Sequence, residues 1–250
     1  MSAVLELRDL HKNFGALQVA RNVNFRLEAG ARHALIGPNG AGKTTLVNLI
    51  TGVLKPSGGT VLLAGHDISR LSQADRVKHG IARTFQINTL FRGLTVIENV
   101  YLAVSEHAGI AGSFFRPVSA RPDIVEAAMA VLETLQLASD ANKQVRQLPY
   151  GRQRLVELAI ALALEPHVLL LDEPAAGVPS AESHIILDAI DGLPKDIAVL
   201  IIEHDMDVVF RFAQHITVLV SGAILVQGTP QEIANDPQVK AVYLGEATHG

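Results

Sequence analysis

At 250 residues, 48% of them apolar, the chain can bury one large α/β core, or one domain with a smaller lobe. A net charge of −4 gives no broad electrostatic reason to bind nucleic acid or an anionic membrane. With no cysteine, disulfides and thiolate metal sites are excluded.

The start, "MSAVLELRDL", has no apolar core flanked by positive charge, so no signal peptide is expected. Over the first 30 residues a weak alternation, in "VLELRDL" and again in "RNVNFRL", predicts antiparallel strands. "HALIG" predicts a buried strand ending at Gly37, and "KTTLVNLITGV" the helix behind it. "GGTVLLAGHDI" returns to strand, "SQADRVKHG" predicts a short helix capped by Ser72, and "IARTF" reads as strand again. Residues 105–122 mix glycine, proline, serine and aromatics and predict a loop or insertion. Pro122 then opens an apolar-periodic helix to about Leu137.

"GRQRLVELAIALAL" predicts a helix and "HVLLLD" a short, fully buried strand. "SAESHIILDAIDGL", "IAVLIIEH" and "DMDVVFRFA" repeat helix, strand and helix, which implies parallel pairing. From Phe212 to Gln231 no residue is formally charged, and that length could span a bilayer. Its serine, glycines, glutamine and proline instead divide it into a hairpin turning at Ser221-Gly222. Thr229 and Glu232 form a capping box around Pro230, starting a further helix.

"GPNGAGKTT", comprising Gly37, Pro38, Asn39, Gly40, Ala41, Gly42, Lys43, Thr44 and Thr45, matches a phosphate-loop pattern. It lies between a predicted strand and a predicted helix, where the chemistry needs it. Its glycines let backbone N–H groups turn toward phosphate oxygens at the positive end of the helix dipole. Lys43 would reach the β- and γ-phosphates, and the Thr44 hydroxyl would ligate Mg²⁺. An ordinary glycine-rich turn would lack this strand and helix context.

"HVLLLDEP" supplies a partner. The strand delivers Asp172 to its exposed end, where it can hold Mg²⁺, and Glu173 follows at once. Adjacent carboxylates on a strand point to opposite sides, so one can serve the metal and the other the attacking water.

Gln86 after "IARTF", the turn "LPYGRQR" upstream of "DEP", and His204 after "AVLIIE" complete an ordered set. In this order and spacing the chain resembles the ATP-binding subunits of ABC transporters over nearly its whole length. The resemblance implies a P-loop NTPase α/β fold: a parallel-sheet core, an N-terminal antiparallel β subdomain and a helical subdomain. It implies one domain over 1–250, with core and antiparallel regions at 1–95 and 160–250 and the helical part at about 96–159.

The same resemblance assigns Phe14 in "KNFG" to stacking on adenine. Gln86 would sense Mg²⁺ and the attacking water and contact the membrane partner, and His204 would meet the γ-phosphate. Tyr150, Gly151 and Arg152 would face the nucleotide held by a second subunit. ATP and Mg²⁺ are the implied cofactors. The implied partners are a second cassette, permease subunits and, indirectly, a substrate-binding protein, with no nucleic acid. The implied location is peripheral, on the cytoplasmic face of the inner membrane.

"DEPAAGVPSAE", the 105–122 insertion and the tail "GTPQEIANDPQVKAVYLGE" look like the branched-chain amino acid importer branch, near which urea and short-chain amide importers also fall. A soluble ABC-type ATPase acting on DNA or ribosomes usually has two cassettes, a long coiled coil or a zinc module, and this chain has none of these. One position departs from the family pattern. Pro149 stands where a serine would donate a hydroxyl to the γ-phosphate, and it has neither that hydroxyl nor an N–H. With Glu173 and His204 intact, the chain reads as a working variant.

Overall fold

In the computed structural model the described residues are 3–84, 90–110, 121–178 and 180–246. The chain opens as a long antiparallel pair, β1 (Ala3–Phe14) and β2 (Leu17–Glu28), turning at Gly15. Strand alternation buries Leu5, Leu7 and Leu10 of β1 and Val23, Phe25 and Leu27 of β2. Next come β3 (Arg32–Ile36), α1 (Lys43–Thr51), β4 (Gly58–Leu63), β5 (His66–Asp67), α2 (Gln73–Lys78) and β6 (Ile81–Arg83). Strands β2, β1, β4 and β5 form one antiparallel sheet in that order. Ser72 accepts from the Asp75 N–H and caps α2 as expected.

The middle of the chain is helical: α3 (Val96–His107), α4 (Pro122–Thr134), 3-10 turns at Ala138–Asp140 and Val145–Gln147, then α5 (Tyr150–Leu162). The remainder alternates as β7 (Val168–Asp172), α6 (Ser180–Asp191), β8 (Ala198–Ile202), α7 (Met206–Phe212), β9 (His215–Val220), β10 (Ala223–Gly228), α8 (Pro230–Asn235) and α9 (Pro237–Glu246). The second sheet has the order β10-β9-β3-β8-β7-β6. All its pairs are parallel except β9 with the edge strand β10. Thus the uncharged stretch is a hairpin, with Ser221 and Gly222 both at positive φ in its turn. Among the described residues no helix is long and apolar enough to cross a membrane.

The parallel strands are buried on both faces, which explains their unbroken apolar runs. Ala34, Ile36, Leu169, Leu171, Val199 and Ile201 face the core shared with α3, α4 and α5. Leu35, Leu170, Leu200 and Ile202 face the core shared with α1 and the antiparallel sheet. Arg76 of α2, only 1% exposed, donates to the carbonyls of Leu49 and Ile50, satisfying the open end of α1.

The stretch expected as one strand from Gly58 splits into β4 and β5 at Ala64 and Gly65, both at positive φ, and two helix boundaries also differ from the sequence expectation. Ser105–His107, expected in a loop, continue α3, because Val104 and Ser105 are buried; Gly109 at φ +70 follows the helix end. Residues 111–120 of that expected insertion lie outside the described residues. The helix from Pro122 stops at Thr134 rather than Leu137, because Gln136 takes φ +54. The Leu137 N–H returns to the Leu132 carbonyl at 2.7 Å and the Gln136 N–H to Glu133, a Schellman closure built on glutamine rather than glycine.

Candidate nucleotide site

Because β3, β6, β7, β8 and β9 run the same way, their carboxyl ends meet at one edge, where open parallel sheets gather ligands. Gly37 leaves β3 at φ +154; a Cβ there would lie 2.1 Å from the Leu219 carbonyl. Gly42, at φ +102, has the Val19 carbonyl at 3.1 Å from its would-be Cβ. Neighbouring backbone therefore leaves room only for glycine at Gly37, and the loop is held close to β2 and β9. The Gly222 N–H donates to Ala41 at 2.8 Å, locking the β9–β10 turn onto the same loop.

Lys43 folds its ammonium back onto the carbonyls of Gly37 at 2.5 Å and Pro38 at 3.0 Å. Asn39, Gly40 and Thr44 are exposed, Pro38 and Thr45 half-buried, and Ala41 buried. Gly42 offers α1 no side-chain cap, and the positive end of the helix, where an anion is favoured, lies at the loop. Such a glycine loop ahead of a helix is the arrangement that cradles the phosphates of a nucleoside triphosphate.

Asp172 ends β7 with its side chain 10% exposed, and its Oδ2 accepts from Arg83 at 2.7 Å. The register pairs Asp172 with Ile202, which places Glu173 beside the segment leaving β8. There His204 Nδ1 lies 3.3 Å from Glu173 Oε1. The pleat argument does not explain the direction of Glu173. It lies beyond the strand at φ +47, a left-handed conformation that costs a non-glycine residue strain. Its N–H is anchored on the Ile202 carbonyl at 2.9 Å.

Oxygen donors are what Mg²⁺ takes, usually one or two carboxylates together with substrate phosphates. Among the described residues no group of three or more His, Cys, Asp or Glu could hold a metal unaided. The Thr44 hydroxyl and the Asp172 carboxylate are oxygen donors of the kind such a shared metal takes. Gln86 lies outside the described residues.

Phe14 is 51% exposed at the tip of the β1–β2 hairpin, with Lys12 Nζ 4.9 Å from its ring centroid, so it is not a core residue. At α5, Pro149 adopts φ −54 and ψ 153, its Leu148-side turn is closed by Gln153, and it supplies no side-chain cap. Gly151 is buried, and Tyr150 packs its ring edge near Gly177, with the Arg154 guanidinium 5.3 Å from its centroid. The Arg152 side chain is engaged by the buried Asp140 and, at 2.8 Å, by the Gln136 carbonyl.

A sequence model described as ABC transporter matches residues 20–176, more than half of the chain. The chain belongs to the ABC transporter family. A second model, described as branched-chain amino acid ATP-binding cassette transporter, matches residues 223–249 of this cassette. The chain is 39% identical to the high-affinity branched-chain amino acid transport ATP-binding protein BraF of Pseudomonas aeruginosa, over 98% of each. The corresponding protein LivG of Escherichia coli K12 is also 39% identical over 98% of each. Among solved structures, an ATP-binding cassette of an ABC transporter in its ADP conformation superposes with TM-score 0.87 at 32% identity, covering 98% of this chain and all of that one.

Two residues of the cassette site went unread in the sequence. Arg83 meets Asp172 across 89 positions, a pairing no local pattern reveals. Glu203 is 3% exposed, and one of its oxygens accepts the His204 N–H at 3.2 Å. Burial pushes the Glu203 carboxyl above its ordinary range, against the pull of the His204 amide. A charged residue between an apolar strand and a histidine was the available signal.

Proposed function

We propose that this cassette binds ATP and hydrolyses it to drive uptake of branched-chain amino acids through membrane-embedded permease subunits. The observation that carries the substrate is the near-full-length relation to branched-chain amino acid transport ATP-binding proteins, extended through the tail. Phe14 stacks on adenine, the 37–45 loop cradles the phosphates, and Lys43 neutralises the β- and γ-phosphates. Thr44, Asp172 and Gln86 would hold magnesium, which when bound supplies charge neutralisation to the phosphates. Glu173 orients and polarises a water at the γ-phosphorus, and His204 holds both Glu173 and the γ-phosphate. Water adds as the bond to the β-bridging oxygen breaks, giving ADP and phosphate.

The core and antiparallel parts, 1–95 and 160–250, form the unit that grips one nucleotide. The helical part, about 96–159, presents the start of α5, with Tyr150, Gly151 and Arg152, to the nucleotide of a second cassette. The pair works peripherally at the cytoplasmic face, and a substrate-binding protein delivers cargo from the other side. Reconstitution of the cassette with its permease subunits and binding protein tests this: ATP-driven uptake of labelled leucine, isoleucine and valine is expected. Uptake of urea or acetamide with none of these amino acids would overturn the substrate assignment.

A further inference from the structure

Arg83 is the last residue of β6, paired with Leu170 in the parallel register. Asp172 lies two residues beyond Leu170, on the same face of β7, so the two side chains are diagonal neighbours. The contact is close and largely shielded from solvent: Nη2 lies 2.7 Å from Asp172 Oδ2, with the side chains 12% and 10% exposed. The other arm is anchored too, since Nη1 donates to Asn48 Oδ1 of α1 at 2.8 Å. One planar guanidinium thus joins the helix behind the phosphate loop to the carboxylate at the end of β7. Its fixed fork suits such bridging, and a lysine has no equivalent geometry.

A carboxylate has two oxygens, and a metal ligand whose second oxygen is held by a hydrogen bond is aimed before the metal arrives. We propose that Arg83 is a positioning residue for the magnesium site, fixing Asp172 through Oδ2 so that Oδ1 serves the metal. The inference rests on the assignment of Asp172 to magnesium. Asn48 contributes indirectly, by holding Arg83. The competing account is a plain structural ion pair tying the edge strand β6 to the sheet.

The probe is Mn²⁺, titrated by electron paramagnetic resonance against protein loaded with a non-hydrolysable ATP analogue. Affinity for the analogue in EDTA is measured alongside. Arg83→Gln should weaken Mn²⁺ by about 10–100-fold while leaving metal-free nucleotide affinity unchanged. Arg83→Lys should recover part of this, because it keeps the charge but cannot bridge both partners. Asn48→Ala, which leaves the ion pair itself in place, should shift Mn²⁺ in the same direction by less, and covers the case in which Arg83→Gln misfolds. Unchanged or tighter Mn²⁺ in Arg83→Gln and Asn48→Ala overturns the proposal. An equal loss of nucleotide affinity in EDTA also overturns it, since the residue then acts on the fold alone. Asp172→Asn is the control: if it leaves Mn²⁺ unchanged, the assignment of Asp172 to the metal fails and takes this inference with it.

Discussion

His33 stands on β3, the strand that runs into the phosphate loop, and it is 6% exposed. Phe25 meets its ring edge-on at 5.0 Å, His215 stacks at 6.3 Å, and Nε2 lies 2.8 Å from Thr217 Oγ1. The Gln227 amide donates into the same Thr217 oxygen, leaving the hydroxyl proton for His33, an arrangement that a neutral imidazole satisfies. Burial, followed by the neighbouring His215, lowers its pKa from 6.5 to about 4. The unfolded chain therefore takes up this proton first as pH falls. The stability due to the neutral ring is present above pH 6.5 and is lost progressively down to about pH 4. At about 1.4 kcal/mol per pH unit the loss by pH 4.5 comes to about 2–3 kcal/mol. Urea unfolding of wild type and His33→Leu at pH 7 and 4.5 should show a smaller acid loss in the variant by that amount. Equal losses would mean that carboxylates alone set the acid limit. The residue types of the candidate site, such as Lys43, Thr44, Asp172 and Glu173, stand in plain local patterns of the sequence. Their surroundings do not: Arg83 reaches Asp172 only through the sheet register, and Glu173 is aimed by a left-handed backbone rather than by the pleat.

Elements announced by local chemistry were legible in the same way. Ser72 and Thr229 cap their helices, and Pro122 opens one, as expected. Thr95 and Glu98 form a full capping box at the start of α3, in a stretch whose sequence carries no apolar period strong enough to announce a helix by itself. Sheet order was out of reach, since β3 lies between β8 and β9, far away in sequence. The turn before α5 shows how element geometry decides an effect. Pro149 has φ −54 and ψ 153, values that serine also adopts at a helix N-cap. Pro149→Ser loses about 0.4–1 kcal/mol of chain rigidity. A serine cap returns about 1 kcal/mol, so the monomer should keep its thermal midpoint within a few degrees. Across a dimer, however, the new hydroxyl gains a bond to a charged phosphate, worth about 1.5–3 kcal/mol. Sedimentation of a hydrolysis-blocked background with ATP should therefore detect a tighter dimer in the serine variant. A looser one would mean that the preset proline turn matters more than the donor.

At the scale of the whole molecule, Asp172 and Glu173 are neighbours to which the proposed function gives separable tasks. Asp172 is 10% exposed and bound to Arg83, whereas Glu173 is 32% exposed and lies 3.3 Å from His204. Glu173→Gln keeps size and hydrogen bonding but removes the basic charge from the group proposed to face the water. A positioned general base contributes a factor of about 10²–10⁴, so turnover should fall by that order. Nucleotide binding should survive, since Lys43 and Asp172 are untouched and one negative charge near the triphosphate is gone. Two cassettes that close on ATP and cannot hydrolyse it should then accumulate as a dimer on size exclusion with ATP and Mg²⁺. Asp172→Asn should behave differently: it strips the charge paired with half-buried Arg83 as well as the proposed metal ligand, so metal-dependent binding and turnover should fall together and no dimer should build up. If Glu173→Gln turns over near the wild-type rate, the water is oriented elsewhere, and His204, already in contact with Glu173, becomes the group to substitute next.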